Sequence, residues 1–202
     1  MSIVDLIDKG GVLIYPLAAL AVWGIAIIAI KSATLRRDRI IVPDAVEQLE
    51  ALVVNGNIPE ATAYCKKHPA PMTRILLAAI INYEKDEAEL KESVEEAGRQ
   101  ELPQIQSHLT TLSTIASVSP LLGLFGTVLG MISVFSVLSQ QANIEANMLA
   151  GGISEALVTT ACGMAIAMPT LAFYNHFTSR VQNLIIEIEK ISLHMVAVLK
   201  RA

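Results

Sequence analysis

Three long stretches of the chain, Gly10–Ile30, Leu109–Ile144 and Ala156–Ser179, contain no Asp, Glu, Lys or Arg, and nothing else in the sequence limits the fold as strongly. As a helix, about 20 such residues rise roughly 30 Å, the thickness of a bilayer's hydrocarbon core. Within lipid every backbone N–H and C=O needs an internal partner, which a helix supplies from its own segment. Apolar residues make up 53% of the chain and charged residues 17%, and the three stretches absorb the apolar excess. The expected fold is therefore an all-α integral membrane protein with three transmembrane helices and long helices extending into the cytoplasm.

The flanking charges orient these helices. Asp5, Asp8 and a single Lys9 precede the first stretch, whereas Lys31, Arg36, Arg37 and Arg39 follow it. No Lys or Arg lies between the second and third, and Arg180, Lys190, Lys200 and Arg201 follow the third. Basic residues favour the cytoplasmic side, so the N-terminus is expected outside and the C-terminus inside. A cleaved signal peptide would carry its basic residues ahead of the apolar run. The expected organisation is a periplasmic segment (1–9), a first span (10–30), a cytoplasmic helical region (31–108), a second span with a cytoplasmic extension (109–138), a periplasmic loop (139–154), a third span (155–179) and a cytoplasmic tail (180–202). About 30 helical residues extend roughly 45 Å, more than a bilayer needs. The Ser/Thr-rich start of the second stretch, Thr110 to Ser117, is expected to stand out of the membrane.

The polar middle shows helical spacing. Val46, Leu49, Leu52 and Val53 recur within Asp44–Val54 before Asn55-Gly56 breaks the pattern, and Pro59 suits the first turn of a second helix. The apolar run Ile75, Leu76, Ala79, Ile80 is expected to begin another that continues through Glu84 to Gln100. The acidic run Asp86–Glu101 fits a solvated helix face, with a docking surface as the alternative. His68 and His108 lack a second ligand at metal-binding spacing, and Cys65 and Cys162 are expected to be free thiols. A net charge of −4 provides no basic field for nucleic acid. No catalytic constellation is visible, so no enzymatic activity, metal or organic cofactor is expected.

Polar chemistry concentrates in the last two spans. Ser119, Gly123, Gly126, Gly130 and Ser133 are spaced four, three, four and three apart, which puts small residues on one helix face. In lipid such a face lets backbones approach while hydroxyls bond across helices. Thr127 lies beside it, and Thr159, Thr160, Gly163, Ala167 and Thr170 form a comparable strip with Glu155 at its head. An ionisable residue close to the membrane favours a bundle-facing or water-facing position. Pro120 and Pro169 each remove a helical donor and are expected to bend their spans. Plain helix packing explains the glycines; the hydroxyls beside them suit a polar, oligomeric pore.

The strings SPLLGLFGTVLGMISVF (Ser119 to Phe135) and ISEALVTTACGMAIAMPTLAFYNHF (Ile153 to Phe177) closely resemble the two signature segments of the ExbB/TolQ/MotA proton-channel family. The resemblance implies an inner-membrane motor unit in which a ring of these subunits, a pentamer, surrounds two copies of a single-span partner whose membrane Asp carries the proton. By the same resemblance Thr127 and Thr160 fall on pore threonines, Glu155 on the acidic position at the pore end, and Pro169 on the proline of the GxxxAxP turn. The residues agree with that division of labour. No Asp, Glu, Lys or Arg lies in the central part of any span, so the proton-carrying carboxylate has to come from a partner.

The three-span layout resembles the ExbB and TolQ branches more than the four-span flagellar stator. The ExbB-like branch implies an ExbD-like partner and a TonB-like protein that energises outer-membrane uptake. A TolQ-like unit, with TolR-like and TolA-like partners and a role in envelope constriction, is the alternative. A non-conducting membrane scaffold is the rival from another class.

Overall fold

The computed structural model describes residues 11–140 and 146–201. The expected N-terminal segment (1–9) and the centre of the expected 139–154 loop lie outside the described residues. Among the described residues the secondary structure is helical throughout: α1 (Ile14–Thr34), α2 (Arg37–Ile40), α3 (Pro43–Val54), α4 (Ile58–Lys67), α5 (Pro71–Ile81), α6 (Glu87–Gln106), α7 (Leu109–Gln140) and α8 (Ala146–Leu199). Three stretches are long and apolar enough to cross a membrane: Ile14–Thr34, Glu87–Ser139 and Ala150–Leu199.

The chain divides into two compact units, Met1–Ile30 with His108–His176, and Lys31–Ser107 with Phe177–Ala202. In the first, α7 runs antiparallel to α8: Gly123 lies against Thr160, Gly130 against Ala156, and Gly152 against Val134. Helix α1 runs parallel to α8, with Gly11 against Glu155 and Gly24 against Thr170 and Ile115. Leu17, Ile27, Leu112 and Ile115 are buried between the three helices. Their outer faces are just as apolar: Ile25 is 68% exposed, Leu121 63% and Phe135 62%. Water would penalise so continuous an apolar surface, whereas lipid tails or neighbouring helices match it.

The second unit has an ordinary aqueous core. Consecutive helices pack in sequence, α3 on α4, α4 on α5 and α5 on α6, around Leu49, Val53, Leu76, Ile80, Leu90 and Met195. In α3 the buried face is Ala45, Leu49 and Val53, with Val46 and Leu52 of the expected set half-buried beside it. Helix α5 starts at Pro71, where the Thr73 hydroxyl accepts from the Ala70 N–H at 2.8 Å and donates to the His68 carbonyl at 2.6 Å. The last part of α8 is tied to this unit by Arg180 Nε to the Leu35 carbonyl (2.8 Å), Arg37 Nε to Glu187 (2.8 Å) and His194 to Glu50 (2.9 Å).

One sequence expectation needs correction. The helix expected from Ile75 to Gln100 is two helices. Asn82 Nδ2 folds back onto the Ala78 carbonyl at 2.8 Å and ends α5, and Asp86 takes an extended conformation ahead of Glu87 and Glu89, acids suited to a new helix N-terminus. Helix α7 reaches Gln140 and α8 begins at Ala146, so helix enters both ends of the expected 139–154 loop. Helix α8 runs for 54 residues and continues through the expected tail as far as Leu199. The acidic face of α6 is solvated, with Lys91 bonded to Glu87 and Arg99 to Glu95, both at 2.6 Å and one turn apart.

Lys31, 3% exposed near the end of α1, donates from Nζ to the Ile105 carbonyl at 3.0 Å and the Ser107 hydroxyl at 3.1 Å. Carbonyls at the C-terminal end of α6 carry the negative end of its dipole, which suits an ammonium. Cys65 is buried, and desolvation pushes its thiol up to about 11. Alkylation of folded protein at pH 8 is therefore expected to spare Cys65, with modification appearing only on unfolding or as the pH approaches that value. Peptide mapping after iodoacetamide treatment checks this, and rapid labelling of Cys65 in folded protein would contradict it.

Candidate functional site

Glycine is required where α7 meets α8. A Cβ on Gly163 would stand 2.5 Å from the Ser119 carbonyl oxygen and 3.1 Å from Gly123 Cα, both backbone atoms that have no room to yield. A Cβ on Gly123 would meet Thr160 Cα at 3.0 Å, and one on Gly130 would meet Ala156 Cβ at 2.7 Å and the Gly152 carbonyl at 3.0 Å. At Gly126 the obstacle is a side chain, Thr159 Cγ2 at 2.5 Å. Gly123, Gly126, Gly130 and Gly163 thus form a backbone-to-backbone seam within one chain, of the kind that drives helix association in lipid.

That close approach brings the two threonines together through a single carbonyl. Thr160 Oγ1 donates across the seam to the Gly123 carbonyl at 2.7 Å. In a regular α-helix the same carbonyl accepts the backbone N–H four residues on, which belongs to Thr127. The Thr127 hydroxyl donates to the Leu124 carbonyl at 2.6 Å. Both hydroxyl hydrogens are therefore engaged by this chain, while hydroxyl lone pairs remain available to accept from another group. Both threonines are partly exposed. The four-residue offset from Gly123 to Thr127 was visible in the sequence, but the partner helix that shares the carbonyl was not.

Thr159, by contrast, is 1% exposed and donates back to the Glu155 carbonyl at 2.8 Å. Glu155 itself is exposed, and its carboxylate lies against Gly11 at the start of α1. Five residues separate it from Thr160, about 7 Å along the helix axis. Pro120 and Pro169 sit inside continuous helices and deprive the Ala116 and Ala165 carbonyls of their helical donors. Neighbouring hydroxyls bond locally, Ser119 to the Ile115 carbonyl and Thr170 to the Ile166 carbonyl, both at 2.7 Å. The site combines hydroxyls, freed carbonyls and an acid near one end. It can order water and accept hydrogen bonds but has no carboxylate midway along the spans.

Known proteins resemble this chain in sequence. The profile of the MotA/TolQ/ExbB proton channel family matches residues 67–190, which include α7, the seam and most of α8. A putative biopolymer transport protein ExbB-like 3 from Synechocystis is 36% identical over 178 residues, covering 84% of this chain and 82% of its own length. A putative biopolymer transport protein ExbB homolog from Methanothermobacter thermautotrophicus is 30% identical over 193 residues, 95% of this chain and 67% of that protein. The Tol-Pal system protein TolQ of Haemophilus influenzae is 41% identical over 85 residues, 42% of this chain and 37% of its own. With membrane-length helices, a glycine seam and a match across most of its length, the chain is an inner-membrane protein that belongs to the MotA/TolQ/ExbB proton channel family.

Proposed function

We propose that the chain is the ring-forming subunit of an ExbB-type motor driven by the proton-motive force. Five copies, each with its N-terminus outside and C-terminus inside, surround two copies of a single-span, ExbD-like protein. An Asp in that partner's span carries the proton, and the partner's movement drives a TonB-like protein that energises outer-membrane uptake. Protons are the coupling ion, and Thr127 and Thr160 line their path with Glu155 at its outer end.

The observation that carries this proposal is the shared Gly123 carbonyl. It holds the Thr160 hydroxyl hydrogen, as the neighbouring Leu124 carbonyl holds that of Thr127, which leaves lone pairs of both hydroxyls for a protonated carboxylic acid or water. A side chain that must repeatedly gain and lose a proton benefits from fixed acceptors that need not reorganise. The central parts of the spans contain no carboxylate of their own, which supports a partner as its source. The long matches to ExbB-like relatives favour the ExbB type over the TolQ type.

Liposomes loaded with a pH-sensitive dye test the proposal. The full-length chain copurified with its single-span partner is expected to pass protons, and exchange of the partner's membrane Asp for Asn is expected to stop it. A complex that never conducts would establish a scaffold instead. In cells, loss of envelope constriction with normal TonB-dependent uptake would assign the TolQ role.

A further inference from the structure

Gly11, in the turn that leads into α1, lies against Glu155 of α8. Gly11 adopts φ +61°, a left-handed conformation that a side chain disfavours. A Cβ there would coincide with the Glu155 carboxylate: Oε1 occupies that space, with Cδ 2.7 Å and Cγ 3.3 Å from the Cβ position. The Gly11 carbonyl accepts from the Ile14 N–H at 3.3 Å, so this contact lies at the amino end of α1. First-turn N–H groups of a helix lack helical acceptors and present a partial positive charge. Glu155 thus lies against bare backbone just ahead of this helix start, and only a residue without a side chain leaves that seat open.

We propose that Gly11 is the positioning residue for Glu155, holding its carboxylate at one end of the proton path; this rests on the assignment of Glu155 to that path. The obstructing atoms are the far end of a flexible side chain. A methyl at position 11 therefore displaces the carboxylate rather than unfolding the protein. The first span becomes part of the conducting site instead of a simple anchor.

The contact is tested in native membranes with Cys65 and Cys162 replaced by Ala. Gly11→Cys with Glu155→Cys is expected to form an intrachain disulfide on mild oxidation, and Gly11→Cys with Leu157→Cys is not. Proton flux from the complex with its single-span partner tests the role. Gly11→Ala and Gly11→Asn are each expected to lower flux about tenfold, as displacement of a reacting group does, with ring recovery unchanged on native mass spectrometry. Asn tolerates positive φ, so its failure isolates the occupied space from backbone strain. In a Glu155→Asp background, whose side chain is one methylene shorter and withdraws the oxygen that occupies the Cβ position, Gly11→Ala is expected to change flux less than about twofold. Equal losses in both backgrounds, normal flux in Gly11→Asn, or no disulfide would overturn the positioning role. Normal flux in Glu155→Gln would instead remove Glu155 from the proton path, with the disulfide still reporting the contact.

Discussion

Thr160→Val is expected to lower proton flux through the reconstituted complex by about a hundredfold or more, the lower range for loss of a group that handles a proton in transit. Thr160→Ser, which keeps the hydroxyl, should conduct nearly as the wild type does. Valine matches threonine in shape, so packing against Gly123 survives. What disappears is the 2.7 Å bond to the Gly123 carbonyl and the lone pairs behind it. Interhelical bonds in lipid average about 0.6 kcal/mol, roughly a threefold change in an equilibrium. That is far too little to account for a hundredfold loss by unfolding. Thr127→Val should lose flux to a similar extent at even less structural cost, because its hydroxyl bonds within its own helix. Full activity in both valine variants would remove the threonines from the pathway.

Gly163→Leu should give the largest structural effect of any single change in the seam, leaving almost no ring on native mass spectrometry. Its added atoms would run into the Ser119 carbonyl and Gly123 Cα, and two helical backbones cannot make way as a rotamer can. Alanine variants should follow the nature of the obstacle. Gly163→Ala is expected to be worst and Gly130→Ala intermediate. Gly126→Ala should be close to Gly130→Ala, since rotation can move Thr159 Cγ2 but not Thr159 Cβ, 2.8 Å from the added atom. Because the seam closes within one chain, loss of the ring follows loss of the α7–α8 hairpin. Normal rings from Gly163→Leu would mean that the two helices do not meet at Ser119 and Gly123.

The three apolar stretches and the α7 glycine face were legible because charge exclusion and helical period are local properties of the chain. The break at Asn82 was not, since it depends on a side chain folding back on its own helix, an option open to any Asn. Pairing across the seam was also hidden. Spacing shows that Gly123 and Thr127 share a face, but not that Thr160, 37 residues later, reaches the carbonyl between them. Gly11 gave even less sign, standing beside a run of apolar residues in which one glycine looks like another. The polar unit was read at the level of its elements; Ala45 of the buried α3 face was missed because alanine counts little in a hydrophobic pattern.

Lys31 sets an order of events during synthesis. Its acceptors, Ile105 and Ser107, lie 74 and 76 residues further along the chain. At about 5–20 residues per second, the ribosome delivers them roughly 4–15 seconds after Lys31 has left the peptidyl-transferase centre. Until then the ammonium lacks both acceptors that it has in the folded protein. The contacts that bury Lys31 can therefore close only once α6 has been made, when more than half of the chain exists.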